Sequence, residues 1–188
     1  MSPQPGSLVE VHLNARLSSV QRGDRYEDPL AFWLEGAFPG SRVLGGGTLR
    51  SPEGEPMSCA IRAEVTGDPV AVGAAIAEFL TDIGAPRGSS VRVGDRPALE
   101  FGAAEGLAVY LDGTGLPQQV YDDHDINVFL DELHDRLIGY GSLQSYWEGP
   151  TSTAVYAYGE RAGDMTAAMS VLLDHHPLAV GSRLERIA

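Results

Sequence analysis

Apolar and polar residues alternate strictly from Val9 to Leu17, with Val9, Val11, Leu13, Ala15 and Leu17 on one side and Glu10, His12, Asn14 and Arg16 on the other. A period of two predicts a strand with one face against a core. The charged stretch QRGDRYEDPL reads as a loop, with Asp28 as N-cap of a helix from about Pro29 to Phe38. Two strands come next, near Ser41–Arg50 and Met57–Val65, joined by the turn SPEGEP. Asp68 then caps a helix with Pro69 at its first position. Val72, Ile76, Phe79, Leu80 and Ile83 form its apolar stripe, and Gly84 suits the position past its end. VRV and ALEF, up to Phe101, read as further strand.

The order of elements then repeats. Leu107–Leu111 reads as a strand. Asp123 or Asp125 caps a helix whose stripe is Ile126, Phe129, Leu130, Leu133 and Leu137. SLQSYWEG and STAVYAYG form a hairpin turning near Gly149 and Pro150. Asp164 begins a helix with Met165, Met169, Leu172 and Leu173 inward, and Arg183–Ile187 is a last strand. Val9 corresponds to Leu107 and Asp68 to Asp164, about 95 residues apart in each case. A short connection near Gly102–Gly106 divides the chain into halves 1–103 and 104–188.

Strand-helix-strand-strand-helix-strand resembles the ferredoxin-like motif. The resemblance covers nearly the whole chain and rests on element order, with no diagnostic family motif. It implies an α+β fold of two successive ferredoxin-like βαββαβ halves with antiparallel sheets. Each sheet would carry helices on one face and leave the other open. Two such halves also resemble the α+β barrels, in which two open faces enclose a cavity.

The parity of the strands predicts what lies on those faces. In the first half it selects Glu10, His12, Asn14, Arg16, Arg62 and Glu64. In the second it selects Tyr110, Asp112, Tyr156 and Tyr158, with Tyr146 and Glu148 joining from the neighbouring strand and Trp147 turned to the core. One reading is a solvated polar surface or a polar interface between halves. The sharper reading is a ligand cavity, with Asn14, Arg16, Arg62, Glu64, Tyr110, Tyr146, Tyr156 and Tyr158 as binding residues and His12 as general base.

Charge narrows the partners. Thirteen basic side chains, all arginine, stand against 26 carboxylates, for a formal net charge of −13. So acidic a domain should repel nucleic-acid backbones and suits a basic partner protein. Arginine without lysine, among abundant Ala and Gly, suggests a bacterial, GC-rich source. No apolar run is long enough to span a membrane and the N-terminus lacks a signal-peptide pattern, so the expected location is cytoplasmic. Cys59 is the single cysteine, which suits a reducing compartment, and it reads as a small core residue.

The remaining motifs favour structural explanations. Arg22 and Arg25 suit an anion or, better, a salt-bridged loop. The glycines of VLGGGTL lie within a strand, where a bulge or close backbone approach is expected, and not before a helix as a phosphate cradle requires. DDHDINVFLDELHD holds His124 and His134 among carboxylates without a metal-ligand spacing and reads as an acidic helix face. His175 and His176 suit a helix C-terminus. No metal and no cofactor are expected.

Two functions remain. The first is a small acidic binding protein that sequesters a partner protein or ligand, as immunity proteins do. The alternative is a metal-independent enzyme of the α+β-barrel type, an isomerase, cyclase or cofactor-free oxygenase, with a small-molecule substrate between the sheets.

Overall fold

The computed structural model describes residues 6–188. Its elements are β1 (Ser7–Leu13), α1 (Ser19–Arg22), α2 (Asp28–Ala37), β2 (Arg42–Arg50), β3 (Pro56–Val65), α3 (Pro69–Asp82), β4 (Ser89–Val93), β5 (Leu99–Phe101), β6 (Glu105–Asp112), α4 (Gln118–Asp123), α5 (Ile126–Leu137), β7 (Gly141–Glu148), β8 (Ser152–Gly159), α6 (Ala162–His175) and β9 (Arg183–Arg186). A π turn over Gly23–Glu27 joins α1 to α2, and a 3-10 turn over Pro177–Ala179 follows α6. The chain forms two compact units: residues 6–50 with 56–103, and residues 104–188 with the turn Ser51–Glu55.

The fold is α+β, with two antiparallel ferredoxin-like sheets. The first runs β2-β3-β1-β4-β5 and the second β7-β8-β6-β9. In each, the first and third strands of the motif are central and its second and fourth flank them, as the ferredoxin-like order requires. Neither sheet closes on itself; the edges are β2 and β5 in one and β7 and β9 in the other.

In the first unit, Val9, Val11 and Leu13 share a buried face with Ile61, Ala63 and Val65, under Leu30, Leu34, Val72, Ile76 and Leu80. Each of these Val, Leu and Ile side chains contributes about 1.5–3 kcal/mol by leaving water. β1 stops at Leu13, earlier than the alternation to Leu17 predicts. Beyond it, Ala15 and Leu17 stay buried, but side chains replace the strand ladder: the Cys59 thiol donates to the Ala15 carbonyl, and the Thr48 hydroxyl donates to that of Leu17. Cys59 is thus core, and burial raises its thiol pKa, with the Thr48 contact opposing.

The expected charged loop is helical. Ser18 and Gln21 form a capping box that starts α1. Arg22, Tyr26, Leu30 and Leu34, spaced by four, are all buried. Arg22 pairs with Glu27 at 2.6 Å and donates to Thr48 at 2.8 Å, so it is consumed within the fold. Asp28 is accordingly the first residue of α2 with no side-chain cap there. Glycines in β2 do mark a bulge and a close approach: the register shifts between Val43 and Gly45, and a Cβ on Gly46 would overlap the Ala60 carbonyl.

In the second unit, Leu107, Val109, Leu111, Val155 and Ala157 pack beneath Phe129, Leu133, Leu137, Met165 and Met169. Asp125 caps α5 by accepting from the Asn127 N–H at 2.8 Å. Asp164 does not cap α6; it lies in the first turn and pairs with Arg161 at 2.6 Å. Among the described residues no helix is long and apolar enough to cross a membrane.

Candidate functional site

In the first unit, His12 is exposed on the face away from the helices, with Ala60 and Ser90 directly across on the flanking strands. Glu10, next on that face, lies between Arg62 and Arg92. Glu64 pairs with Arg42 at 2.6 Å. Asn14 and Arg16 lie past the end of β1. Asn14 ties the chain to the segment before β4, its amide donating to the Arg87 carbonyl at 2.8 Å and its backbone N–H to Ser89.

In the second unit, Tyr110, Tyr156 and Tyr158 share the face away from the helices, where Tyr156 and Tyr158 are buried. One oxygen of Glu55 accepts from both the Tyr110 and Tyr156 hydroxyls, at 2.7 and 2.8 Å. The Arg183 guanidinium covers the Tyr110 ring at 4.1 Å. Tyr146 and Glu148 are not on this face. A bulge between Leu143 and Ser145 shifts the register of β7, so Trp147 stands across from Ala154 beside Tyr156, and Tyr146 stands across from Val155 on the helix side. The added residue reverses the parity of everything after it.

That reversal helps to build a cleft of about 750 Å³. Leu111, Ile126, Leu130 and Leu178 supply apolar wall, and the rings of Tyr121 and Tyr146 flank it. Asp112, Asp122, Asp123, Asp125 and Glu148 also line it, with no arginine among its lining residues. Asp112 accepts the backbone N–H groups of Thr114 and Gly115, and those bonds, Gly115 first, hold its carboxyl below the usual range. It therefore remains ionised through neutral pH. Tyr121 is fixed by its hydroxyl, which donates to the Asp112 carbonyl at 3.3 Å and accepts from the Leu116 N–H at 3.1 Å. α4, which carries Tyr121 and Asp122, is absent from the sequence expectation because six residues are too short for a periodic signal.

The cleft sits on the acidic unit. Residues 104–188 with 51–55 hold four arginines and fifteen carboxylates, whereas the first unit holds nine arginines and eleven carboxylates. A concave wall of carboxylates focuses potential on whatever enters. Among the described residues no three His, Cys, Asp or Glu side chains converge as a metal site would require.

One histidine of a contacting pair borders the cleft. His124 lines it, and its ring lies 5.4 Å from that of His176, which also packs on Phe129 at 4.8 Å. His176 Nδ1 accepts the Leu178 N–H at 3.2 Å, which requires the proton on Nε2. Burial lowers the His176 pKa from its ordinary 6.5, nearby His124 lowers it further and Glu132 opposes. A lowered folded-state pKa means the neutral form supports the fold. Its contribution is present above the unfolded value of about 6.5 and is lost as pH falls through the lower folded value. The urea midpoint of the second unit should therefore drop between pH 7.5 and 5.5. His176→Asn keeps an acceptor for Leu178 but does not titrate, so its drop should be smaller; an equal drop would assign the effect to another group.

No family model and no curated protein matches this chain. Among solved structures, it is similar to a candidate glycine cleavage system transcriptional repressor at 8% identity and a TM-score of 0.29, covering 97% of this chain and 95% of that one. It is also similar to the first two RRM domains of the yeast poly(U)-binding protein Pub1 at 10% identity and a TM-score of 0.25, covering 96% and 99%.

Proposed function

We propose that this protein is a non-catalytic binding protein whose second unit holds a cationic group, an ammonium or guanidinium, in the cleft beside α5. The observation that carries this reading is the cleft itself: carboxylates without arginine around an apolar wall flanked by two tyrosine rings. A cation finds charge at the rim, and its alkyl stem finds Leu111, Leu130 and Leu178. The chemistry is common to a free amine and to the basic side chain of a partner protein. Sequestration of a basic partner, in the manner of immunity proteins, is the second of these. The catalytic alternative keeps His12 as base; it has less support because that imidazole is exposed to water on an open sheet face.

The test compares agmatine, an arginine-containing peptide and glutamate as probes, by calorimetry and by amide shifts. The cations should bind and glutamate should not. Tighter binding of the peptide than of agmatine would identify a protein partner; the reverse would identify a small amine. Asp123→Asn and Glu148→Gln should each weaken the cation about two- to fivefold, and together about tenfold, with weaker salt dependence. No shift at cleft residues with millimolar cation would overturn the reading.

A further inference from the structure

The first unit carries a second concavity, unrelated in chemistry to the cleft. α2 and α3 pack side by side over the first sheet, and the groove at their surface measures about 760 Å³. Its lining is almost wholly apolar: Pro29, Phe32, Trp33, Ala37 and Phe79, with Glu35 at the rim. Trp33 is held in place, stacked on Phe79 at 4.7 Å and met edge-on by Phe38 at 5.5 Å. Phe32, by contrast, is 82% exposed. An aromatic ring left in water beside a preformed aromatic groove marks an interaction surface.

The charge around the groove selects its occupant. α2 and α3 carry four carboxylates, Asp28, Glu35, Glu78 and Asp82, and no basic side chain. All four are exposed. Asp28 and Glu35 lie four residues before and three after Phe32, and Asp82 lies three after Phe79, so each is on its aromatic's side of the helix. Two copies of this face would oppose carboxylates to carboxylates. Nor does any helix of this chain among the described residues match it: α5, the nearest in type, sets Arg136 and His134 against Asp131, Glu132 and Asp135.

We propose that the α2–α3 groove docks an amphipathic helix of a partner protein, with an apolar stripe seated on Phe32, Trp33 and Phe79 and flanking lysines or arginines facing Glu35 and Asp82. This is helix-in-groove recognition, with apolar anchors at helical spacing giving the affinity and the acidic rim fixing orientation.

The test uses the full chain and a labelled 18-residue helical peptide of leucine and lysine, with leucines on one stripe, read by fluorescence anisotropy. A peptide of the same composition with the stripe scrambled is the control. The striped peptide should bind at least tenfold tighter than the scrambled one. Phe32→Ala, whose side chain is exposed and whose fold circular dichroism will verify, should weaken it about tenfold or more. Glu35→Gln with Asp82→Asn should weaken it several-fold and flatten its salt dependence. Equal binding of both peptides, or of wild type and Phe32→Ala, would reduce the effect to general attraction by an acidic chain and overturn the proposal. So would sedimentation of the protein alone as a dimer that Phe32→Ala dissociates, since the occupant would then be a second copy.

Discussion

Phe129→Ala is expected to remove about 3–5 kcal/mol of stability from the second unit, the range for deleting a buried aromatic ring. Phe129 is fully buried at the centre of the second core, on the same stripe of α5 as Leu133 and Leu137. Its ring also supports His176, the residue that caps the turn bearing Leu178. Leu130 and Asn127 of the same helix line the cleft. The cavity should therefore loosen the site as well as the fold. Urea unfolding at pH 7.5 will measure the first, and cation affinity under folding conditions the second. A stability change below about 1 kcal/mol would show that α5 is not held by this stripe.

Glu105→Ala should remove about 2 kcal/mol. The N-cap position of α6 is Arg161, which makes no side-chain cap. The cap comes from across the unit: Glu105, buried at the start of β6, accepts the Ala162 N–H at 2.7 Å. Its other oxygen meets Arg186 of β9 at 2.6 Å. One carboxylate thus joins a helix start and an edge strand, and its negative charge complements the helix dipole. Loss of a cap costs about 0.5–2 kcal/mol, and the mostly exposed Arg186 pair adds less than about 1 kcal/mol. Glu105→Gln keeps an acceptor and loses the charge, so it should cost about half as much. Chemical denaturation of the two variants will separate capping from charge; equal losses would assign the whole effect to the carboxylate's charge.

Two of the helix starts that carry their own cap, those of α3 and α5, were readable in the sequence; the capping box of α1 is equally local but was not read. Asp68 and Asp125 each accept an N–H two residues on, a contact that needs nothing beyond the local chain. The α6 start was not, because its acceptor is 57 residues away. The same division explains α1 and the π turn. Their inward positions are Arg22 and Tyr26, which look polar until Glu27, Thr48 and the Gly84 carbonyl are brought to them.

Sidedness follows the same rule. Along β1, and along β3 from Cys59 to Val65, the alternation of residues is the alternation of burial, because a stretch of strand without a bulge transmits parity along its length. On β7 the bulge after Leu143 interrupts it, and nothing in SLQSYWEG announces an extra residue. Trp147 and Tyr146 exchange faces as a result, and Tyr146 and Glu148 reach the cleft.

What the sequence by itself determined was the strand-helix-strand-strand-helix-strand order of each half, the α+β class and the central strands, since periodicity and most self-capping are properties of neighbouring residues. Tertiary structure decided where the acidity acts. DDHD is only a charged run along the chain, and it becomes one wall of a cleft when α4 and α5 meet the ends of β6 and β7. Concavity depends on residues far apart in sequence, so it has no local signature.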